Sequence, residues 1–338
     1  MRAAYYKGQK HFSVSEGQEK APRPTEAKIR VAYCGICGTD LHIYHGKMDA
    51  RTGHNRITGH ECSGEIVELG RDVTDFRVGD RVVVRPLASC GDCPACAAGH
   101  SHICHNLNFM GVDSEGAFQE YWTVPAKLLH RVPEKISLKQ AALAEPLAVA
   151  CHDVRLGEVK AGEYVVVLGG GPIGLLVALV ARERGARVLV SEINSYRLGL
   201  ARELGLEAAN PKEQDLVQLV KRESGTAGAD VVFEVTGTEA GAELMTQLPK
   251  TRGRIVVVAI YSFRPTVDLF GFFWRELHVC GARVYEAEDF EESLRLLAEG
   301  LAADTLISGV HPLGDLQATF EHLEADPRAM KTLIDCRA

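Results

Sequence analysis

No window of this sequence approaches the roughly eighteen consecutive apolar residues that a membrane-spanning helix needs. The opening run MRAAYYKGQKHF follows its positive charges with no sustained apolar stretch. Neither a spanning segment nor a secretory leader is expected, and the chain is expected in the cytoplasm, with no membrane partner. No basic run offsets a formal charge of −7, so nothing concentrates the cations that nucleic acid would require, and nucleic acid is not expected as a partner. Internal repeats and low-complexity linkers are missing too, which excludes solenoids and biased tracts. With those classes set aside, 338 residues at 46% apolar and 25% charged describe a globular protein long enough to bury two cores. A small molecule is the expected partner.

Helix signal is thin up to about residue 130. Short runs such as AKIRVAY, GEIVEL and DRVVVRP are separated by Gly, Asp and Pro turns, which predicts a mostly antiparallel barrel. From about residue 160 the rhythm changes. The apolar runs EYVVVLG, RVLVSE, ADVVFEVTG and GRIVVVAI alternate with helical segments such as LGLARELG, the pattern of a doubly wound parallel sheet. Further on, DFEESLRLLAEG predicts an amphipathic helix.

The run EYVVVLGGGPIGLL places Gly169, Gly171 and Gly174 in a G-x-G-x-x-G pattern directly after an apolar strand and before a helix. Gly169 would make the tight turn, Gly171 would admit a pyrophosphate to the backbone, and Gly174 would let helix and strand pack closely. Pro172 and Ile173 open the helix whose N-terminus would face the anion. Glu192 ends the next strand eighteen residues past Gly174, where a carboxylate can accept both ribose hydroxyls of an adenosine. That predicts NAD as cofactor, with NADP disfavoured by like charge unless Arg197 rearranges to receive the 2′-phosphate.

Ten cysteines in a reducing compartment do not suggest disulfides. Cys90, Cys93, Cys96 and Cys104 follow a C-x2-C-x2-C-x7-C spacing that can wrap four thiolates around one tetrahedral zinc, leaving no position open for chemistry. The rival is an iron–sulfur cluster, but the last gap is long and no proline follows the fourth cysteine. His100, His102 and His105 in the same loop are expected to be solvated.

A second group is looser. Cys37 in CGICGTDLH and the pair His60 and Glu61 in TGHECSGEI are zinc-ligand types, and three protein ligands leave a fourth position for water or substrate. Glu145 in ALAEPLAVA either ligates the same ion or stands behind the ligands. Spacing alone leaves His60 open as a hydrogen-bonded loop histidine. Cys34, Cys62, Cys151, Cys280 and Cys336 have no such company and are expected to act as small apolar residues.

Four segments, CGICGTDLHIYHG, GHECSGEIVELG, the four-cysteine loop and VVVLGGGPIGLL, occur in the order and rough spacing of the zinc-dependent medium-chain dehydrogenase/reductase family, which the chain resembles over nearly its whole length. The resemblance implies an α/β architecture with a GroES-like β-barrel catalytic domain over 1–147, a Rossmann NAD-binding domain over 148–285, and a return to the catalytic domain over 286–338. It implies two zinc ions per chain: a catalytic one on Cys37, His60 and Glu61, with Glu145 matching the glutamate that can replace or assist Glu61, and a structural one on the four clustered cysteines. A catalytic zinc would polarise the substrate hydroxyl as a Lewis acid. Thr39 and His42 match the family's proton relay, against a plainer reading as polar residues at strand edges. A homotetramer or homodimer is also implied.

EPLAVACHDV and LFGFFWRELHVCGARVYEAEDF resemble the polyol, butanediol and threonine dehydrogenase branch. The expected reaction is NAD-linked oxidation of a secondary alcohol in a polyol, vicinal diol or cyclitol. The alternatives are an L-threonine 3-dehydrogenase and, from another class, a non-catalytic NAD-binding sensor. The pocket is expected near Tyr44, Phe109 and residues 263–274; Phe272, Phe273 and Trp274 could line a pocket or a subunit interface, core packing being the commoner fate of such a cluster.

Overall fold

The computed structural model describes residues 1–338 and divides them into two compact units: Met1–Glu145 with Glu286–Ala338, and Pro146–Tyr285. The strand Glu26–Gly35 is the spine of the first unit. Its alternation puts Ala27, Ile29 and Val31 inside, at roughly 1.5–3 kcal/mol per large buried side chain. It pairs antiparallel with Glu61–Leu69, Tyr121–Pro125 and Lys331–Asp335. Arg81–Val84 and Leu129–Arg131 continue the sheet on one side, and Ile307–Pro312 runs parallel to Lys331–Asp335 on the other.

Register decides what stands beside what. Gly35 faces Glu61 on one neighbour and Leu333 on the other, so three strands distant in sequence meet at one end of the spine. The spine then turns into the helix Gly38–Tyr44, with Cys37 as its N-cap. This short helix, and others at Asp49–Thr52, Pro94–Ala97 and Leu138–Ala141, exceed the helix content that the first half of the sequence suggests. Capping residues rather than apolar periodicity start two of them: Asp40 accepts from the Cys37 N–H and Ser137 accepts from the Gln140 N–H.

The second unit is a six-stranded parallel sheet in the order Glu207–Ala209, Arg187–Ser191, Tyr164–Leu168, Ala229–Glu234, Pro249–Val257, His278–Gly281. Numbered along the chain this is 3-2-1-4-5-6, the doubly wound order, whose switch point lies at the carboxyl end of the first strand. YVVVL at that strand is buried throughout, as a strand covered on both faces must be. The chain meets the Gly169–Gly174 loop there and enters the helix Pro172–Glu183, with Pro172 at its first position, where no N–H is needed. No helix is long and apolar enough to cross a membrane.

Candidate active site

The four-cysteine loop forms a lobe of the first unit. One sulfur from each of Cys90, Cys93, Cys96 and Cys104 lies within 4.8 Å of the other three, with Cys104 Sγ 3.3 Å from Cys90 Sγ and 3.8 Å from Cys93 Sγ. Backbone N–H groups point inward: Cys90 and Asn106 donate to Cys104 Sγ, and His105 donates to Cys93 Sγ. Donors of this kind favour thiolate over thiol. The Cys96 and His105 N–H groups hold the Cys93 thiol down at about 6. All four cysteines are unpaired, and the donor set fits one closed tetrahedral zinc. His100 and His105 are exposed as expected, but His102 is buried, with Nδ1 3.5 Å from Glu286 Oε1. The cause is the packing of the lobe against the start of the helix Ala287–Ala298, for which Glu286 is the N-cap.

The second cluster lies at the end of the spine. Ligand atoms of Cys37, His60 and Glu61 fall within 4.8 Å of one another, and His60 and Glu61 are buried. Gly35 is required here because a Cβ at that position would collide with the Glu61 carboxylate. Burial disfavours the His60 imidazolium, yet Asp40, Cys37 and Glu145 outweigh it and push the group up to about 10. Cysteine, histidine and carboxylate together suit zinc with one position open. Phe109 covers His60 edge-on at 4.9 Å, and its N–H is held by Asp113, which Arg51 grips at 2.6 and 2.8 Å. Glu145 is buried and near enough for its charge to act on His60 and Lys331, but it is not among the atoms of the 4.8 Å cluster.

Two further buried residues stand at this cluster. Asp40 accepts from the Cys37 N–H at 2.9 Å through Oδ2, and its Oδ1 lies 3.8 Å from His60 Nδ1. With Nδ1 turned to Asp40, Nε2 is the nitrogen left for a metal. Lys331, on the last strand, places Nζ 2.7 Å from each oxygen of Glu61. For Asp40, the one available signal was a carboxylate three residues after a helix N-cap. For Lys331 there was none beyond a lysine inside an apolar strand.

Thr39 and His42 stand on the helix Gly38–Tyr44 and not at a strand edge. Both are half-buried, and burial, Lys47 and His45 lower the His42 pKa below its ordinary value. Tyr44 departs from the expected pocket position. It is buried, stacked between Phe12 and Phe320 at 6.2 and 5.1 Å, and belongs to the core. Cys34, Cys62, Cys151 and Cys336 are buried, and Cys280 is half-buried.

In the second unit the glycine loop has the geometry an anion needs. Gly169 adopts φ +104°, and a Cβ at Gly174 would strike its carbonyl. Glu192 accepts from the Gly170 N–H at 2.9 Å through Oε2 and from the Ile193 and Asn194 N–H groups through Oε1, so its carboxylate is fixed beside the loop with lone pairs to spare. Arg197 Nη1 is 3.8 Å from Glu192 Oε2. Glu234, fully buried at the end of the neighbouring strand, accepts from the Thr236 and Gly237 N–H groups and shapes the facing loop; no motif singles it out. Phe273 and Trp274 are 76% and 72% exposed and so not in the core, the commoner fate of such a cluster, because the helix Leu269–Arg275 lies on the sheet with only Gly271 buried.

Residues 23–134 match the family model described as alcohol dehydrogenase GroES-like domain, and residues 172–299 match that of zinc-binding dehydrogenase. The chain is 53% identical to a 2-dehydro-3-deoxy-L-galactonate 5-dehydrogenase of Pseudoalteromonas atlantica, over 100% of this chain and 99% of that one. It is 34% identical to a sorbitol dehydrogenase of Halalkalibacterium halodurans, over 97% and 96% of the two chains. Among solved structures, it is similar to the 2R,3R-butanediol dehydrogenase of Bacillus subtilis, with a TM-score of 0.91, 33% identity and 99% of each chain covered. The chain belongs to the zinc-dependent medium-chain dehydrogenase family. Within it, the relatives define an oxidoreductase of the polyol and secondary-alcohol class.

Proposed function

We propose that this protein oxidises the C5 hydroxyl of a 2-keto-3-deoxy sugar acid to a ketone, passing the hydride to NAD. The observation that carries the chemistry is the buried Cys37–His60–Glu61 cluster. The choice of substrate rests on likeness to the Pseudoalteromonas dehydrogenase along the whole chain. Cys37, His60 and Glu61, with Glu145 behind them, would hold a catalytic zinc, and the four lobe cysteines would hold a second ion that only stabilises. When bound, zinc at the first cluster supplies Lewis acidity toward a substrate hydroxyl.

The chain's own groups do the rest. Thr39 takes the hydroxyl proton while giving up its own, because a hydroxyl both donates and accepts. His42, kept neutral around pH 7 by its lowered pKa, passes that proton to water. Gly169, Gly171 and Gly174, with Pro172 and Ile173 opening the helix, receive the pyrophosphate, and Glu192 receives the adenosine ribose. The fixed Glu192 carboxylate favours NAD over NADP. Phe109 keeps water off His60.

We further propose a cytoplasmic homo-oligomer, which a native mass of one chain would contradict. Thiolate sites need a reducing compartment. The exposed Leu269, Phe270, Phe273 and Trp274 lie on the unit whose sheet ends in the open strand His278–Gly281, a surface suited to a second copy.

The test is one plate and one metal assay. Purified protein with NAD or NADP is offered 2-keto-3-deoxy aldonates, sorbitol, butanediols, inositols and L-threonine, and reduced nicotinamide is followed at two zinc ions per chain. Turnover of sorbitol, butanediols, inositols or threonine without the 2-keto-3-deoxy aldonates, or none from fully loaded protein, overturns the proposal.

A further inference from the structure

The sugar acid proposed as substrate is an anion, so a site that takes it must hold a carboxylate as well as the C5 hydroxyl. The cluster that would receive the hydroxyl cannot serve both ends, because the carboxylates of Glu61, Asp40 and Glu145 are buried around it. A cation is needed at the far end of the carbon chain, and the Lys331 ammonium is already committed to Glu61 and the Ile36 carbonyl. The wall beside His60 supplies one. Phe109, edge-on to His60 at 4.9 Å, donates its N–H to Asp113 Oδ2 at 2.8 Å. Asp113 in turn accepts from Arg51 Nε at 2.6 Å and from Arg51 Nη2 at 2.8 Å, and Arg56 Nη1 donates to the Asp113 carbonyl at 2.8 Å. The loop that carries Asp113 is pressed onto the cluster: a Cβ at Gly111 or Gly116 would strike the carbonyl of Gly59, the residue before His60.

The pairing leaves Arg51 half used. Nε and Nη2 face Asp113 along one edge of the guanidinium, and no protein acceptor meets Nη1. A second carboxylate fits the Nη1–Nη2 edge as Asp113 fits the first, by two parallel N–H···O bonds. An ion pair with the arginine side chain 41% exposed contributes little stability. What Asp113 contributes is orientation, because a planar fork gripped along one edge presents the other in a fixed direction. Arg56 brings a second guanidinium to the same residue, while Glu115, the other carboxylate of the loop, turns Oε2 to the Ile57 N–H. We propose that Arg51, oriented by Asp113, binds the C1 carboxylate of the sugar acid, with Arg56 adding charge, and that this clamp selects aldonates over uncharged polyols. The inference rests on the proposed substrate class.

The experiment compares kcat/KM for a 2-keto-3-deoxy aldonate and for its uncharged methyl ester on zinc-loaded, full-length protein. The two carry the same C5 hydroxyl and differ only at the end the clamp would hold. Arg51→Ala should lower kcat/KM for the acid by about tenfold to a hundredfold, mainly through KM, with a much smaller loss for the ester. Guanidinium chloride at millimolar concentration should restore part of the acid's rate and none of the ester's. Arg51→Lys, which keeps the charge and loses the fork, should fall between wild type and Arg51→Ala. Asp113→Asn, which keeps an acceptor for the Phe109 N–H while loosening the grip on Arg51, should lose part of the same preference, as should Arg56→Gln. An acid-to-ester preference unchanged in Arg51→Ala overturns the inference, whether both rates hold or both fall, because Arg51 would then only brace the Phe109 wall. Should Arg51→Ala fail to fold, Arg51→Lys is read by the same ratio and the same criterion. If wild-type protein turns over uncharged alcohols but no aldonate, the substrate reading itself has failed, a result visible before any variant is made.

Discussion

The first unit carries two clusters of metal-ligand side chains built on opposite plans. The lobe takes four sulfurs from fifteen consecutive residues, Cys90 to Cys104, and surrounds them with backbone N–H groups. The other cluster takes Cys37 from a helix cap and His60 and Glu61 from a strand start, and surrounds them with the buried charges of Asp40, Glu145 and Lys331. Backbone donors are fixed and neutral, suited to an ion that must never change its ligands. Side-chain charges can shift and compete, which suits an ion that must accept a substrate and release a product.

That contrast is broken or sharpened most strongly by removing one sulfur from each cluster. Cys37→Ser should lower turnover by about a thousandfold or more, since the Lewis acid is worth several kcal/mol, while leaving the melting temperature within a few degrees. Cys104→Ser should do the reverse. Its folded fraction keeps near-normal turnover, but Tm falls by roughly 10 °C because the closed ion contributes folding free energy. Thermal unfolding and initial rates on the same two samples check both. Equal effects on stability would erase the distinction between the sites.

The same contrast explains what could be read from sequence. The lobe was legible because its geometry is local: the spacing of four cysteines nearly determines the cage. The glycine loop was legible for the same reason, since strand, glycines and helix are contiguous from Tyr164 to Glu183. Cys37, His60 and Glu61 required a family likeness, and Lys331 escaped altogether. It reaches Glu61 from 270 positions away through the pairing register of three strands, which no spacing rule encodes. Phe273 and Trp274 stay open between core, pocket and interface in the sequence because an aromatic cluster reads alike in a core and on an open face. His102 was misplaced because its partner Glu286 enters from a distant helix cap.

The smallest change that still separates the two plans is Asp40→Asn. Asp40 is fully buried; burial raises its pKa, and His60 and the Cys37 N–H offset only part of that rise. An asparagine oxygen can still accept from the Cys37 N–H, so the helix start should survive. The amide NH2 would then face His60 Nδ1 in place of Oδ1 and donate to it, favouring the tautomer that carries its proton on Nε2 and has no lone pair left for a metal. The expected outcome is a 10- to 100-fold loss of affinity at the catalytic cluster, read by competition with a chelator, with the four-cysteine ion retained. Unchanged affinity would mean that the 3.8 Å approach of Asp40 to His60 does not orient the ring, and that the side-chain charges around this cluster matter less to ligand geometry than the contrast with the lobe requires.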